Sequence, residues 1–176
     1  MKKTVKPGMR RTVMRRAGQV IAAMAVVAGL SLATGGTATA AGLGELACHY
    51  EVNRFNTCLA IYFLGGDQYA VHVGIDVNMS QRAAQDIIDA EGQEFSGSMY
   101  GDDGQGSGEF LFDLPITRVS AWSGGLSAEF DTIVPGSWLN EDSGTAVDEL
   151  IARIRLWLSS AQRYAHYRSG QVTGRF

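Results

Sequence analysis

The chain has 176 residues, of which 45% are hydrophobic and 19% charged, a balance that excludes a disordered or low-complexity polypeptide. Its 15 basic residues are unevenly placed: seven of them (Lys2, Lys3, Lys6, Arg10, Arg11, Arg15 and Arg16), with no acid among them, fall in the first forty positions. The rest of the chain sets eight arginines against eighteen acids, a formal charge of −10, which argues against nucleic acid and anionic lipid as partners.

The first forty residues read as a cleaved secretion signal. The basic segment is followed by an apolar run over residues 20–33 and then by small residues. Ala38-Thr39-Ala40 supplies the A-x-A pattern of a signal-peptidase site, which places cleavage between Ala40 and Ala41. The apolar run falls short of the ~20 residues a bilayer span requires, so no transmembrane segment is expected. Arg10-Arg11-Thr12-Val13-Met14-Arg15 resembles a twin-arginine signal but lacks the aromatic-leucine pair that follows in such signals, so the general and folded-state export routes both stay open. A lipid anchor on Cys48 is a weaker variant, since Glu45-Leu46-Ala47 puts a charge where an apolar residue belongs.

Residues 41–176 are expected to form one secreted domain. Cys48 and Cys58 are its two cysteines, and oxidation outside the cell would pair them. Residues 58–63 and 69–78 are β-prone runs around Gly65-Gly66-Asp67, the pattern of a hairpin. In the second run Val71, Val73, Ile75 and Val77 alternate with His72, Gly74, Asp76 and Asn78, which predicts a strand with one buried face. Ser80 is a predicted N-cap for a short helix over about residues 80–91, with Ala83, Ala84, Ile87 and Ile88 at helical spacing and Gly92 as its stop. Further strands are predicted over residues 94–100, from Phe110 to Ile116 with Pro115 at an end or edge, and over 117–122, 126–134, 149–158 and 163–167. Seven or eight short strands with one helix predict an antiparallel β-sandwich or distorted barrel.

The acidic stretch from Leu139 to Ala152 resembles the third calcium loop of C2 domains. That family places an aspartate, a second two residues on and a third six residues later, ahead of a strand. The matching positions are Asn140, Asp142 and Asp148, with Asn140 standing where the family has an acid. The resemblance covers about eighteen residues and implies calcium binding, with Asp102 and Asp103 of the loop over residues 101–108 as further ligands. Calcium takes six to eight oxygens, which a loop turning alternate side chains inward can supply.

Catalytic signals are sparse. No serine sits in a G-x-S-x-G elbow, and His49, His72 and His166 lack zinc-ligand spacing. His72 and Asp76 share a strand face but lie roughly 13 Å apart, beyond hydrogen-bonding reach. Trp122, Trp138 and Trp157 could anchor a recognition surface; at least two are expected in the core, with Trp138 the best candidate for exposure. The overall pattern resembles the small secreted β proteins of high-GC Gram-positive bacteria. The leading expectation is a monomeric, non-catalytic binding module, calcium-assisted, for an extracellular protein or carbohydrate. A metal-independent inhibitor or protein-interaction domain is the second reading, and a hydrolase assembled from distant residues the third.

Overall fold

A computed structural model describes residues 44–90, 95–102, 108–142 and 147–176. Ten strands and one helix follow in the order β1 (Glu45–Glu51), β2 (Phe55–Gly65), β3 (Gln68–Asn78), α1 (Gln81–Ile88), β4 (Phe95–Gly101), β5 (Phe110–Leu114), β6 (Ile116–Trp122), β7 (Gly125–Pro135), β8 (Asp148–Leu158), β9 (Arg163–Arg168) and β10 (Val172–Gly174). They form two antiparallel sheets, a β-sandwich with one short helix. Sheet A runs β1-β2-β3-β7-β6, and sheet B runs β10-β8-β4-β5 with β9 also paired to β8.

Alternation drives the layering. In β3, Val71, Val73, Ile75 and Val77 are buried while Asp76 is exposed, and in β8 Leu150, Ala152, Ile154 and Leu156 point into the same core. Phe130, Leu59, Met99 and Leu126 complete its centre. Ser80 caps α1, accepting from the Ala83 N–H at 3.2 Å, and the helix packs its Ala84 face on β6 and β7. The helix ends at Ile88, with Asp89 as its C-cap; the predicted stop at Gly92 lies outside the described residues. Pro115, with no N–H for a ladder, separates β5 from β6 where the chain crosses from sheet B to sheet A.

β9 and β10 lie successively along one side of β8, interrupted at Ser169, which bonds Ala152 through both its backbone and its hydroxyl. At this interruption the sheets touch: a Cβ on Gly170 would clash with the backbone of Ala47 and Cys48. The Thr173 N–H donates to Glu45 at 3.1 Å across the same seam. Cys48 and Cys58 form a disulfide between directly opposed residues of β1 and β2. Among the described residues, no helix is long and apolar enough to cross a membrane.

Trp138 is exposed as expected, but the expectation that at least two tryptophans lie in the core does not hold. Trp122 and Trp138 are 50% and 54% exposed, and Trp157 lies half-buried on the outer face of sheet B. The inward strand positions are filled by Val, Leu, Ile and Phe, so Trp122 is left at the end of an edge strand and Trp138 in the 3-10 turn Gly136–Trp138.

Candidate functional site

At one end of sheet B, where β4 finishes and β8 begins, the backbone ladder brings two acidic segments together. Gly101 pairs with Leu150, and the Asp102 N–H donates to the Glu149 carbonyl at 2.7 Å. The third segment arrives from β7. After the 3-10 turn, Leu139 is fully buried and anchors the chain, so Asn140, Glu141 and Asp142 emerge beside the start of β8.

Asp148 holds that arrangement shut. It is 1% exposed, and its Oδ1 accepts the backbone N–H of Glu141 at 2.9 Å and of Asp142 at 3.2 Å. Its Oδ2 is buried and has no hydrogen-bond partner among the described residues. Asp102, also 1% exposed, pairs through Oδ2 with Arg168, while its Oδ1 is buried and likewise without a partner among the described residues. Gly101 lets Glu141 cover the ladder, because any side chain there would overlap the Glu141 carboxylate.

The result is a cluster in which carboxylate oxygens of Glu141, Asp142 and Glu149 all lie within 4.8 Å of one another, each residue partly buried. Carboxylates at such range repel when all are ionised. Two oxygens on opposite sides of one calcium ion, each at 2.3 to 2.6 Å, are about 4.6 to 5.2 Å apart, so a single ion can be shared by all three.

The residues singled out in the sequence divide unevenly over this geometry. Asp142 is in the cluster. Asp148 lies beneath it as a buried support, and Asp102 lies beside it, joined through the backbone to Glu149. Asn140 is exposed and spends its amide on the Phe176 carbonyl at 3.3 Å. Asp103 lies outside the described residues. Glu141 and Glu149 were not singled out; each adjoins an acid that was, and the doublets Glu141-Asp142 and Asp148-Glu149 are the signal that marks them.

No family model, curated protein or solved structure matches this chain. The reading of the site therefore rests on its own atoms.

A second polar group sits on the outer face of sheet A. His72 bonds Asp131 at 2.7 Å from Nδ1 to Oδ1, across the β3–β7 register rather than along β3 toward Asp76. The Thr117 hydroxyl donates to the other oxygen of Asp131. Burial raises the Asp131 carboxyl, but the Thr117 hydroxyl, His72 and Arg118 together outweigh it and leave the group below its ordinary value of 3.8. A hydrolase triad needs the hydroxyl on the far nitrogen of the imidazole, whereas this one bonds the carboxylate. His49 stacks on Phe55 at 5.6 Å, and His166 lies 6.5 Å from the Tyr164 ring.

Proposed function

We propose that the chain is an exported, non-catalytic binding module that holds one calcium ion through Glu141, Asp142 and Glu149 at the end of sheet B. The observation that carries this reading is the convergence of three carboxylates within 4.8 Å over Asp148, whose buried Oδ2 has no hydrogen-bond partner among the described residues. Three ionised carboxylates at this range repel one another, and a cation shared among them offsets that repulsion. Magnesium demands near-octahedral oxygens at about 2.0 to 2.1 Å and keeps much of its water, so a protein cage of this spread favours the larger ion.

The ion would tie the loop after Leu139 to the start of β8. Trp138 and Phe110 stand at this end, both about half exposed, with Trp138 against Phe112 at 5.7 Å. They border an open groove of about 310 Å³ that also includes Asn140. Exposed rings beside an ion-ordered loop are the elements of an extracellular protein or carbohydrate contact. The basic leader, the Ala40–Ala41 cleavage site and the disulfide, a bond typical of oxidising compartments, support export. Calorimetric titration with calcium tests the site: one ion per chain, lost in Glu149→Gln, is expected, and no heat at millimolar calcium would overturn it.

A metal-independent contact has its own support. The Cys48–Cys58 bridge braces the β1–β2 hairpin, whose tip leaves Val52 86% exposed. Asn78 fastens that tip from β3, its Nδ2 donating to the Asn53 carbonyl at 3.0 Å and its N–H to the Arg54 carbonyl at 2.8 Å. A braced, exposed loop suits an inhibitor or protein-docking domain. Val52→Asp, which leaves the acidic end intact, separates this reading from the first in any partner assay.

A further inference from the structure

β9 leaves one side of its backbone unpaired. Among the described strands it pairs with β8 alone, and of its six residues only Ala165 and Tyr167 are half-buried, the others being exposed. The N–H and C=O groups along a free edge are a template for one more strand. Beside this edge, between β1 and β2 of sheet A and β8 and β9 of sheet B, lies a groove of about 340 Å³ whose walls include His49, Phe55, Ile154, His166 and Tyr167. Phe55 and Tyr167 meet edge to face at 4.9 Å, and His49 stacks on Phe55.

Strand parity gives the edge two different sides. Tyr167 is paired with Ile154, which is buried in the core, so it turns inward. Tyr164, His166 and Arg168 turn outward with their register partners Trp157, Arg155 and Arg153. A strand added to β9 would set alternate side chains against Phe55 and Tyr167 and the others beside the outward row. The first set meets rings and the second meets cations. β9 carries Arg163 and Arg168 and no acid, and the Arg155 guanidinium reaches over β9, 5.4 Å above the Tyr164 ring, steadied by a 3.2 Å bond from Nε to the Ser96 hydroxyl. Arg168 is engaged by Asp102 and Arg153 lies over Tyr100, which leaves Arg155 and Arg163 as the arginines of this hairpin without an ion pair among the described residues. The other acids of the sheet stand away from the edge. Asp113 ends the row Arg168, Arg153, Ser98, Asp113, three strand spacings or roughly 14 Å from β9. Glu149 lies six residues along β8 from Arg155, roughly 20 Å.

We propose that the free edge of β9 takes up an extended acidic segment of a protein partner as an additional strand, with its apolar residues against Phe55 and Tyr167 and its alternating carboxylates beside Arg155 and His166. Opposite charges across a strand pair stabilise it and like charges weaken it, which selects the occupant. A second copy of this chain is disfavoured: pairing β9 with itself about a two-fold axis between Ala165 and His166 puts Arg163 of each copy opposite Arg168 of the other, and brings together two chains of formal charge −10. An acidic segment meets no such opposition. Exposed charges more than ~8 Å apart are largely screened at physiological ionic strength, so the distant acidic end of sheet B does little to repel it. Neither the Glu141 cluster nor Val52 takes part, so failure of either reading above leaves this edge unaffected.

Fluorescence anisotropy of short labelled peptides with the purified protein in chelator tests it. The probes are a peptide of alternating Glu and Val with blocked ends, the same composition arranged as one Glu block and one Val block, an alternating Lys and Val peptide, and the Glu-Val peptide with its backbone nitrogens methylated. The alternating acidic peptide is expected to bind, and the other three to bind about tenfold more weakly or not at all. Arg155→Glu should weaken the acidic peptide about tenfold and strengthen the Lys-Val peptide, a gain that a misfolded variant could not show. Arg118→Gln, on sheet A, should leave both unchanged. No binding of the alternating acidic peptide at millimolar concentration would overturn the assignment and leave the arginines as guards of a bare edge. Equal binding of the block or methylated peptide, or unchanged affinities in Arg155→Glu, would overturn it as well.

Discussion

The carboxylate of Asp148 reaches back six residues to accept the backbone N–H of Asp142 at 3.2 Å, with the N–H of Glu141 on the same oxygen. One buried side chain therefore sets where two of the three clustered carboxylates stand. Asp148→Ala leaves both N–H groups without that acceptor and should cost about 2 to 4 kcal/mol at neutral pH. Asp148→Asn keeps an acceptor while removing a buried charge, so in chelator it should unfold at or above the wild-type denaturant midpoint. In calcium it should fall below wild type. Denaturant titrations of both variants with and without the ion read these outcomes.

Gly101 separates site from scaffold in a different way. A methyl group there displaces the end of the flexible Glu141 side chain rather than backbone, so Gly101→Ala should change stability in chelator by no more than about 1 kcal/mol. Calcium affinity should nonetheless fall, because Glu141 can no longer lie over β4. A calorimetric titration that found wild-type affinity in this variant would remove Glu141 from the ligand set.

Much of this architecture is legible in the sequence because it depends on local alternation. Val71 to Val77 shows its buried face at every second residue, Ser80 marks the helix start, and Pro115 marks the end of β5. β1 is harder to see, since Glu45-Leu46-Ala47-Cys48-His49-Tyr50 does not alternate and its pairing is set by β2. β10 is three residues long and is a strand only because β8 is beside it. The site follows the same division. The acidic loop is visible as composition, but which carboxylates converge depends on the packing of Leu139 and on Asp148 turning inward, so the C2-like spacing picks Asn140 and passes over Glu141 and Glu149. His72 has its carboxylate at Asp131, 59 residues away, where only the β3–β7 register can place it.

The Cys48–Cys58 bridge closes a loop with a sequence separation of ten, for which chain entropy gives about 2.5 to 3 kcal/mol of stabilisation. The double variant Cys48→Ala/Cys58→Ala should lose that amount in denaturant titration while keeping its calcium response, because the bridge joins β1 to β2, which carry none of Glu141, Asp142 and Glu149. Loss of the calcium response together with the bridge would show that the two ends are coupled.

Asp131 provides a pH signature. Its folded carboxyl lies below its ordinary value, so its contribution is fully present above about pH 3.8 and disappears as pH falls through the lower folded value. The group is half exposed, with solvent screening its partners, so the contribution is small. Wild type should exceed Asp131→Asn in stability at pH 5, and the difference should shrink below pH 4. A difference that grew on acidification would contradict the assigned direction.

The most direct test of the cation site is the thermal midpoint of the purified protein in chelator and then in rising calcium, with magnesium as control and Asp142→Ala alongside. An ion at one hundred times its dissociation constant adds about 2.7 kcal/mol, a rise on the order of 10 °C for a domain of this size. The account predicts that rise with calcium, little with magnesium and none in Asp142→Ala. An unchanged midpoint at millimolar calcium, or an equal rise in the variant, would contradict it.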